Sequence, residues 1–423
     1  MRRGVFVAIL MVACVVLGGL SQDVTHYRNE VVNELRELII RHDWVDAFDE
    51  AIRNAQSYNV YDFRDLQKWD DYKGYLAWLD DLLEWAPLQE GDSRNVYEMI
   101  VRFYFILDQP PVKDLQSPIL PEGEYPLMLT ELSMWMVDFA NAWGAYLDTP
   151  ESAKYVKSFK DDIWFNWDAY MPPPASFLPG DEWMAYRTFN QFFARHVKPG
   201  MRPVAGLCDD SVIVSPADST FVGWWQINEK SEIYVQETEP VLNVKGLKWS
   251  IEQLLKGSEY ADRFKGGIFA HHFLNSFDYH RWHAPVGGKV LEARVIQGQV
   301  YLDVTTQKVM IEEDGAQREV TVLTALDGTG YQFVQTRGLI IIDSPFGLVA
   351  CLPMGMAQVS SVVITAAEGV TLRKGEELGY FQFGGSDFVM VFERASNVDL
   401  TWQPGVHKQQ GTAIGRAYPF GMD

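Results

Sequence analysis

A serine, two histidines and an aspartate in this sequence are of types that could together perform nucleophilic chemistry. Ser386 follows Gly384 and Gly385. His280 and His283 lie in Phe277-Asp278-Tyr279-His280-Arg281-Trp282-His283-Ala284-Pro285. Asp218 lies in Ser215-Pro216-Ala217-Asp218-Ser219. An unactivated hydroxyl is a weak nucleophile and needs a base. Histidine suits that task near neutral pH, and a carboxylate can orient the imidazole and stabilise its charged form. A plainer reading stands beside each residue. Gly384-Gly385-Ser386 separates the strand-like runs Gly379–Phe383 and Phe388–Phe392, and such a glycine pair taken alone reads as a hairpin turn. Asp218 after Pro-Ala reads as a turn cap. His271, His272, His280 and His283 place four of the eight histidines within thirteen positions, which raises a metal site as the rival. No Cys-x-x-Cys or His-Glu-x-x-His pattern accompanies them, so no metal is expected. His271 and His272 read as wall or core residues.

The three segments together resemble the phosphatidylserine decarboxylase family, whose members carry a P-A-D segment, a D-Y-H-R-x-H-x-P segment and a G-S cleavage site. The resemblance covers roughly residues 185–395. It includes Phe189–Arg195 and Lys198–Pro203 at the entry to the catalytic region, and Gln358–Ser361 and Arg373–Gly379 toward its end. It implies that the Ser386 hydroxyl attacks the Gly385 carbonyl, with His283 as base and Asp218 orienting it. Elimination and hydrolysis would then leave a pyruvoyl group at position 386. That covalent cofactor is an electron sink for decarboxylation of an amine-bearing substrate. His280 is the candidate proton donor to the α-carbon, and the division of roles between the two histidines stays open. The self-derived α and β chains are expected to remain associated.

The sequence departs from the family in two places. The bacterial lipid enzymes typically read L-G-S-T at the cleavage site, where this chain has Gly384-Gly385-Ser386-Asp387. The family's L-S-P-x-D-Y-H-R is here Leu274-Asn275-Ser276-Phe277-Asp278-Tyr279-His280-Arg281. The serine and its preceding glycine remain, so the departures bear on substrate and not on reaction type. Phosphatidylserine is the formal substrate, with phosphatidylethanolamine as product. A free aromatic amino acid such as tryptophan is the alternative, because Asn141–Ser152 resembles part of the helical domain of fungal tryptophan decarboxylases. A non-catalytic exported binding protein of the same fold is the lesser alternative.

The elements that must position these residues fall into two textures. Residues 24–170 carry apolar positions at helical spacing, as in Val31–Ile40, Tyr75–Trp85 and Met134–Trp143. Their eight tryptophans, Trp44 to Trp167, read as core. Met171-Pro172-Pro173-Pro174 marks a linker. Beyond it, Gly287–Val295, Gln299–Val304, Leu339–Ile342 and Val359–Thr365 read as strands, with Ser250–Leu255 as a helix. The expected fold is α+β, a helical N-terminal domain followed by a mainly β, phosphatidylserine-decarboxylase-like catalytic domain. The expected divisions are 1–22 signal peptide or anchor, 23–170 helical domain, 171–184 linker, 185–396 catalytic domain and 397–423 tail.

Composition bounds the partners. The chain of 423 residues is 47% hydrophobic and 22% charged, with net charge −21, and it reads as globular. Residues 21–190 hold 31 acidic and 14 basic side chains. Such a region is repelled by nucleic acid and by anionic lipid surfaces, so no nucleic-acid partner is expected and membrane contact stays open. Met1-Arg2-Arg3 and the apolar run Val5–Leu20 have the pattern of an export signal, with an uncleaved anchor as the alternative. An exported location would permit a disulfide between Cys208 and Cys351, which sequence cannot establish.

Overall fold

The computed structural model describes residues 25–89, 95–119, 128–161, 166–171, 186–235, 247–313, 315–325, 331–357, 361–383 and 386–419. The N-terminal apolar run, the prolines of the linker, and Gly384 and Gly385 lie outside them. Five helices make up most of the first part: α1 (Glu30–Arg41), α2 (Val45–Ser57), α3 (Tyr72–Leu82), α4 (Asn95–Leu107) and α5 (Glu131–Leu147). Helix α5 shows why. It buries Leu132, Trp135, Met136, Phe139, Trp143 and Leu147, an apolar stripe at helical spacing. Its N-cap Thr130 accepts a hydrogen bond from the Ser133 amide at 3.3 Å, which satisfies one of the unpaired first-turn donors. The Trp135 indole donates to the Val31 carbonyl of α1 at 2.7 Å. Trp135 and Trp143 are buried, and Trp44, Trp69, Trp78, Trp85 and Trp167 pack half-buried against the same core. No helix among the described residues is long and apolar enough to cross a membrane.

The second part is mainly β. It opens with a short helix α6 (Phe189–Phe193), then β1 (Val212–Val214), β2 (Ser219–Gln226), β3 (Glu232–Val235), β4 (Leu247–Ser250), the one-turn helix α7 (Ile251–Leu254) and β5 (Ile268–Leu274). It continues through β6 (Arg281–His283), β7 (Gly288–Ile296), the hairpin β8 (Val304–Glu313) and β9 (Ala316–Ala325), β10 (Arg337–Ser344) and β11 (Gly347–Gly355). The last strands are β12 (Val362–Ile364), β13 (Thr371–Leu372), β14 (Glu377–Phe381), β15 (Ser386–Phe392), β16 (Val398–Leu400), β17 (His407–Lys408) and β18 (Ala413–Ala417). Gln299–Val304, read as a strand from its alternation, is strand only at Val304. The Tyr301 amide is taken by the Gln335 side chain at 3.1 Å instead of a ladder partner.

An eight-stranded sheet in the order β13-β7-β10-β11-β15-β5-β2-β17 forms the centre. Its middle strands are buried on both faces. Ile340, Ile342, Phe388, Met390 and Phe392 join the core that is continuous with the helical part. Leu339, Ile341, Val389 and Val391 join a second core on the other face. Two-sided burial explains why these strands read as unbroken apolar runs. The β8–β9 hairpin leans on the helices: the Asp108 carboxylate accepts from the Val304 amide at 2.8 Å, and the Tyr97 hydroxyl accepts from the Ala325 amide at 2.7 Å.

Two features bear on function. Strand β14 pairs with β12 and β6, whereas β15 pairs with β11 and β5. The two runs flanking Gly384-Gly385 therefore belong to different sheets, and the hairpin reading of Gly-Gly-Ser does not hold. The stretch after residue 396, read as a tail, is woven in: β18 sits between β1 and β16, and β17 caps the edge of the large sheet on β2. Cys208 is exposed, Cys351 is buried in β11, and both are free thiols.

Candidate active site

The upstream flank of Gly384-Gly385 is pinned by helix α6. The Phe383 amide donates to Asn190 Oδ1 at 3.1 Å, and Asn190 Nδ2 donates to the Gly144 carbonyl of α5 at 3.2 Å. The Phe383 ring meets Trp143, Phe189 and Phe193 edge to face, with centroids 5.4, 5.0 and 5.4 Å away. Such aromatic contacts fix geometry beyond simple burial. The downstream flank is pinned by the sheet. The backbone of Ser386 lies opposite Leu274 of β5 and Gly355 of β11, while its side chain is outside the described residues. Asp387 Oδ1 lies 2.7 Å from His271 Nε2.

His280 is fully buried. Its ring lies 4.0 Å from that of Phe193, which in turn touches Phe383. Its carbonyl accepts from the Phe381 amide at 2.9 Å, which places it alongside the strand that leads to Gly384-Gly385. His280 Nδ1 lies 2.8 Å from the Asp278 carbonyl. A carbonyl only accepts, so Nδ1 bears the proton and Nε2 holds the lone pair. Nε2 has no hydrogen-bond partner among the described residues. Burial, helped by the Arg195 charge and opposed by the Asp278 carbonyl, pushes the imidazole down to about 3. His280 is thus a neutral base with an open lone pair.

His283 is held at both nitrogens. Nδ1 lies 2.9 Å from the Gly375 carbonyl and Nε2 lies 3.1 Å from the Tyr279 hydroxyl. Burial lowers its pKa; the Gly375 carbonyl, the charge of Glu377 and, least, that of Asp218 oppose that shift. The structure does not bring Asp218 into hydrogen bonding with His283. Asp218 is buried and engaged by Arg202, whose Nε lies 2.8 and 3.1 Å from the two carboxylate oxygens and whose terminal nitrogen also contacts Oδ2. The Gln410 amide donates to Asp218 Oδ1 at 2.8 Å. A guanidinium fork matches a carboxylate better than a single ring nitrogen does. The group that orients the His283 ring in the structure is therefore the Gly375 carbonyl and not Asp218. The P-A-D segment still meets the histidine strand, because the His283 amide donates to the Pro216 carbonyl at 2.7 Å.

The remaining histidines separate. His272 is core, its ring 4.6 Å from Trp402 and 5.2 Å from Phe221. His271 carries the contact with Asp387, which sequence reasoning missed because it depends on strand register. His407 Nε2 lies 2.9 Å from Asp278 Oδ1. Among the described residues no three His, Cys, Asp or Glu are grouped to hold a metal ion.

A cleft of about 270 Å³ opens between α5 and the β part, beside Phe383, with Asn141, Asp148, Asn190, Gln297 and Gln382 on its walls. A neighbouring cleft of about 370 Å³ shares Asp148, Asn190 and Gln382 and reaches Arg195, Arg281 and Tyr380. Both are lined by amides and charged groups as well as rings. They adjoin the pinned flank of residues 384–386.

Residues 189–416 match the family model described as phosphatidylserine decarboxylase. Residues 29–171 match a second model of the same description. The chain is 35% identical over 251 residues to "Phosphatidylserine decarboxylase proenzyme 3" of Schizosaccharomyces pombe, covering 59% of this chain and 22% of that protein. It is 32% identical over 344 residues to "Phosphatidylserine decarboxylase proenzyme 2" of Oryza sativa, covering 77% of this chain and 49% of that protein. It is 29% identical over 285 residues to "Decarboxylase iboD" of Amanita muscaria, covering 61% and 75%. The chain thus spans about a fifth and about half of the length of the first two relatives.

Proposed function

Because this chain belongs to the phosphatidylserine decarboxylase family, we propose that it cuts itself between Gly385 and Ser386 and then decarboxylates phosphatidylserine. The observation that carries the proposal is the independent anchoring of the two flanks. Phe383 is tied to Asn190 and an aromatic cage. Residues 387–392 are buried inside the large sheet. Neither flank needs the intervening peptide bond to keep its place, which is what a break at this point demands.

In the proposed processing step the Ser386 Oγ bonds to the Gly385 carbonyl carbon as the C–N bond breaks, and the hydroxyl proton passes through a base to the departing nitrogen. His283, in the field of Asp218, is the base. Loss of the Ser386 α-proton and of the Gly385 carboxylate, followed by hydrolysis with release of ammonia, completes the change. The group so formed, a pyruvoyl on residue 386, supplies a ketone that condenses with an amine and accepts the electron pair left by departing carbon dioxide. The surroundings fit it: Phe383 and Asp387 on either side are buried, and the Nε2 of His280 has no hydrogen-bond partner among the described residues. His280 Nε2 is the candidate to deliver a proton to the α-carbon. A low pKa makes its protonated form a strong donor.

Support for phosphatidylserine as substrate comes from the relatives named phosphatidylserine decarboxylase proenzyme. A free amino acid is the second reading, favoured by the amide-lined cleft between α5 and Phe383. Residues 1–22 support a further part of the proposal, an exported or membrane-anchored location. The chain's domains are residues 23–170 and a catalytic part that starts at 185 and takes in β16, β17 and β18.

Intact-mass analysis should show a C-terminal chain of residues 386–423 with a blocked, carbonyl-bearing first residue. Ser386→Ala should stay whole. Carbon dioxide release should then be compared for phosphatidylserine in mixed micelles and for free tryptophan, tyrosine and phenylalanine. Turnover of a free amino acid with none of the lipid would replace the substrate and keep the mechanism. Active wild-type protein that remains one chain would refute the mechanism.

A further inference from the structure

Asp387 immediately follows the residue that the proposed cut turns into a chain terminus. It is also the one acidic residue on the buried run of β15. Its carboxylate meets His271 at 2.7 Å, with 2% of each side chain exposed. The contact is diagonal: Asp387 lies opposite Phe273 and His271 opposite Val389. It therefore staples β15 to β5 at the point where β15 begins. The other polar atom of each partner, His271 Nδ1 and Asp387 Oδ2, has no hydrogen-bond partner among the described residues. The face around them is apolar, with the Phe333 ring 5.8 Å from His271 and Val389, Val391 and Phe269 beyond. Leaving either member alone in such a place is costly. A pair kept there needs a reason other than general stability.

We propose that the His271–Asp387 pair is a positioning device that holds residue 386 in place once its upstream peptide bond has been cut. This rests on the self-cleavage reading above. Before the cut, residue 386 is held covalently from both sides. After it, residue 386 becomes the free end of a strand, and strand ends fray. The ladder at Leu274 and Gly355 is then the last rung. A buried side-chain tie one residue inward prevents that rung from opening and keeps the terminal carbonyl beside the cleft. Neither partner touches substrate; both act through residue 386.

The test compares Asp387→Ala and Asp387→Asn in the self-cleaving chain and in the uncleavable Ser386→Ala background. Wild-type intact mass is checked first. An uncut wild type would sink the cleavage reading and would be seen before any variant is made. The readout is amide hydrogen exchange in peptides covering 387–392, with hydrazine titration of the carbonyl at residue 386. In cleaved protein, Asp387→Ala should still yield about one carbonyl per chain but exchange about tenfold faster at the start of β15, the scale of losing one charge-assisted hydrogen bond. In the uncut background the same change should alter exchange much less. Asp387→Asn, which can still pair with His271, should recover part of the protection. In the cleaved protein kcat should fall with little change in KM. His271→Gln gives a second variant should Asp387→Ala fail to fold. Equal loss of protection in cut and uncut chains would overturn the proposal, because the pair would then be ordinary structure. Loss of cleavage in both single variants would overturn it too, placing the role before the cut.

Discussion

Asn190 holds Phe383 by the chain itself, its Oδ1 accepting the Phe383 amide at 3.1 Å while its Nδ2 reaches Gly144 at 3.2 Å. One side chain thus joins the helical part to the residue that precedes the glycine pair. Removing the acceptor leaves a buried amide unpaired, which costs about 1–3 kcal/mol. Asn190→Ala should slow self-cleavage about tenfold or more, since the attack geometry depends on where Phe383 is held. Asn190→Asp keeps the acceptor and should cut faster than Asn190→Ala. A time course of chain cleavage after cell-free synthesis reads both.

His280 makes acid stability a test of its environment. Its folded pKa, about 3, lies below the unfolded value of about 6.5. The neutral ring is therefore no burden above pH 6.5. As pH falls from there toward 3, the unfolded chain gains a proton that the folded chain refuses, and stability is lost. Between pH 7 and pH 4.5 this single group should remove about 2–3 kcal/mol. In denaturant titrations at those two pH values, His280→Gln should lose less stability than wild type by that amount. An equal loss would mean that His280 takes up its proton at an ordinary pH.

Much of this arrangement is legible before any coordinates. The stripe of α5 follows from its spacing, and Leu339–Ile342 reads as a buried strand because every residue is apolar. Two of the motifs also meet in space: His280 packs on Phe193, which packs on Phe383. What depends on register or on long-range choice of partner is not legible. Gly-Gly-Ser resembles a hairpin turn because local sequence does not say which sheet each flanking strand will join. Asp218 could serve an imidazole or a guanidinium, and Arg202 offers the better fork. Asp387 and His271 are 116 positions apart, and only the pairing of β15 with β5 brings them together.

His407 and Asp278 supply a titration that can be read directly. The Asp278 carboxylate beside it raises the His407 pKa above its usual value, against the effect of partial burial. The pair ties the C-terminal segment to the loop whose backbone carbonyl orients His280. Because the folded pKa is raised, the tie is fully present below the unfolded pKa and is lost as pH rises through the folded one. An NMR titration should give His407 a midpoint above about 6.5, and Asp278→Asn should bring it back toward that value. His407 is 43% exposed, so its contribution to overall stability should be small. A midpoint that does not move in Asp278→Asn would show the contact to be idle in solution.

The topology also predicts the fate of the fragment released by a cut before residue 386. That fragment carries β15, β16, β17 and β18. Strand β15 is central in the large sheet, paired along its whole length with β11 on one side and β5 on the other. Strand β18 fills the middle of the small sheet against β1. Phe388, Met390 and Phe392 on one face and Val389 and Val391 on the other are all buried. Withdrawing five such side chains would expose apolar surface costing about 1.5–3 kcal/mol each. The cut chain should therefore elute as one species of unchanged size. Its two pieces should separate only in denaturant, and together with global unfolding. Met390→Asp, which puts a charge into the sheet's buried face, should release the fragment under native conditions or prevent folding before the cut. Wild-type fragments that part spontaneously on a sizing column would contradict the central placement of β15.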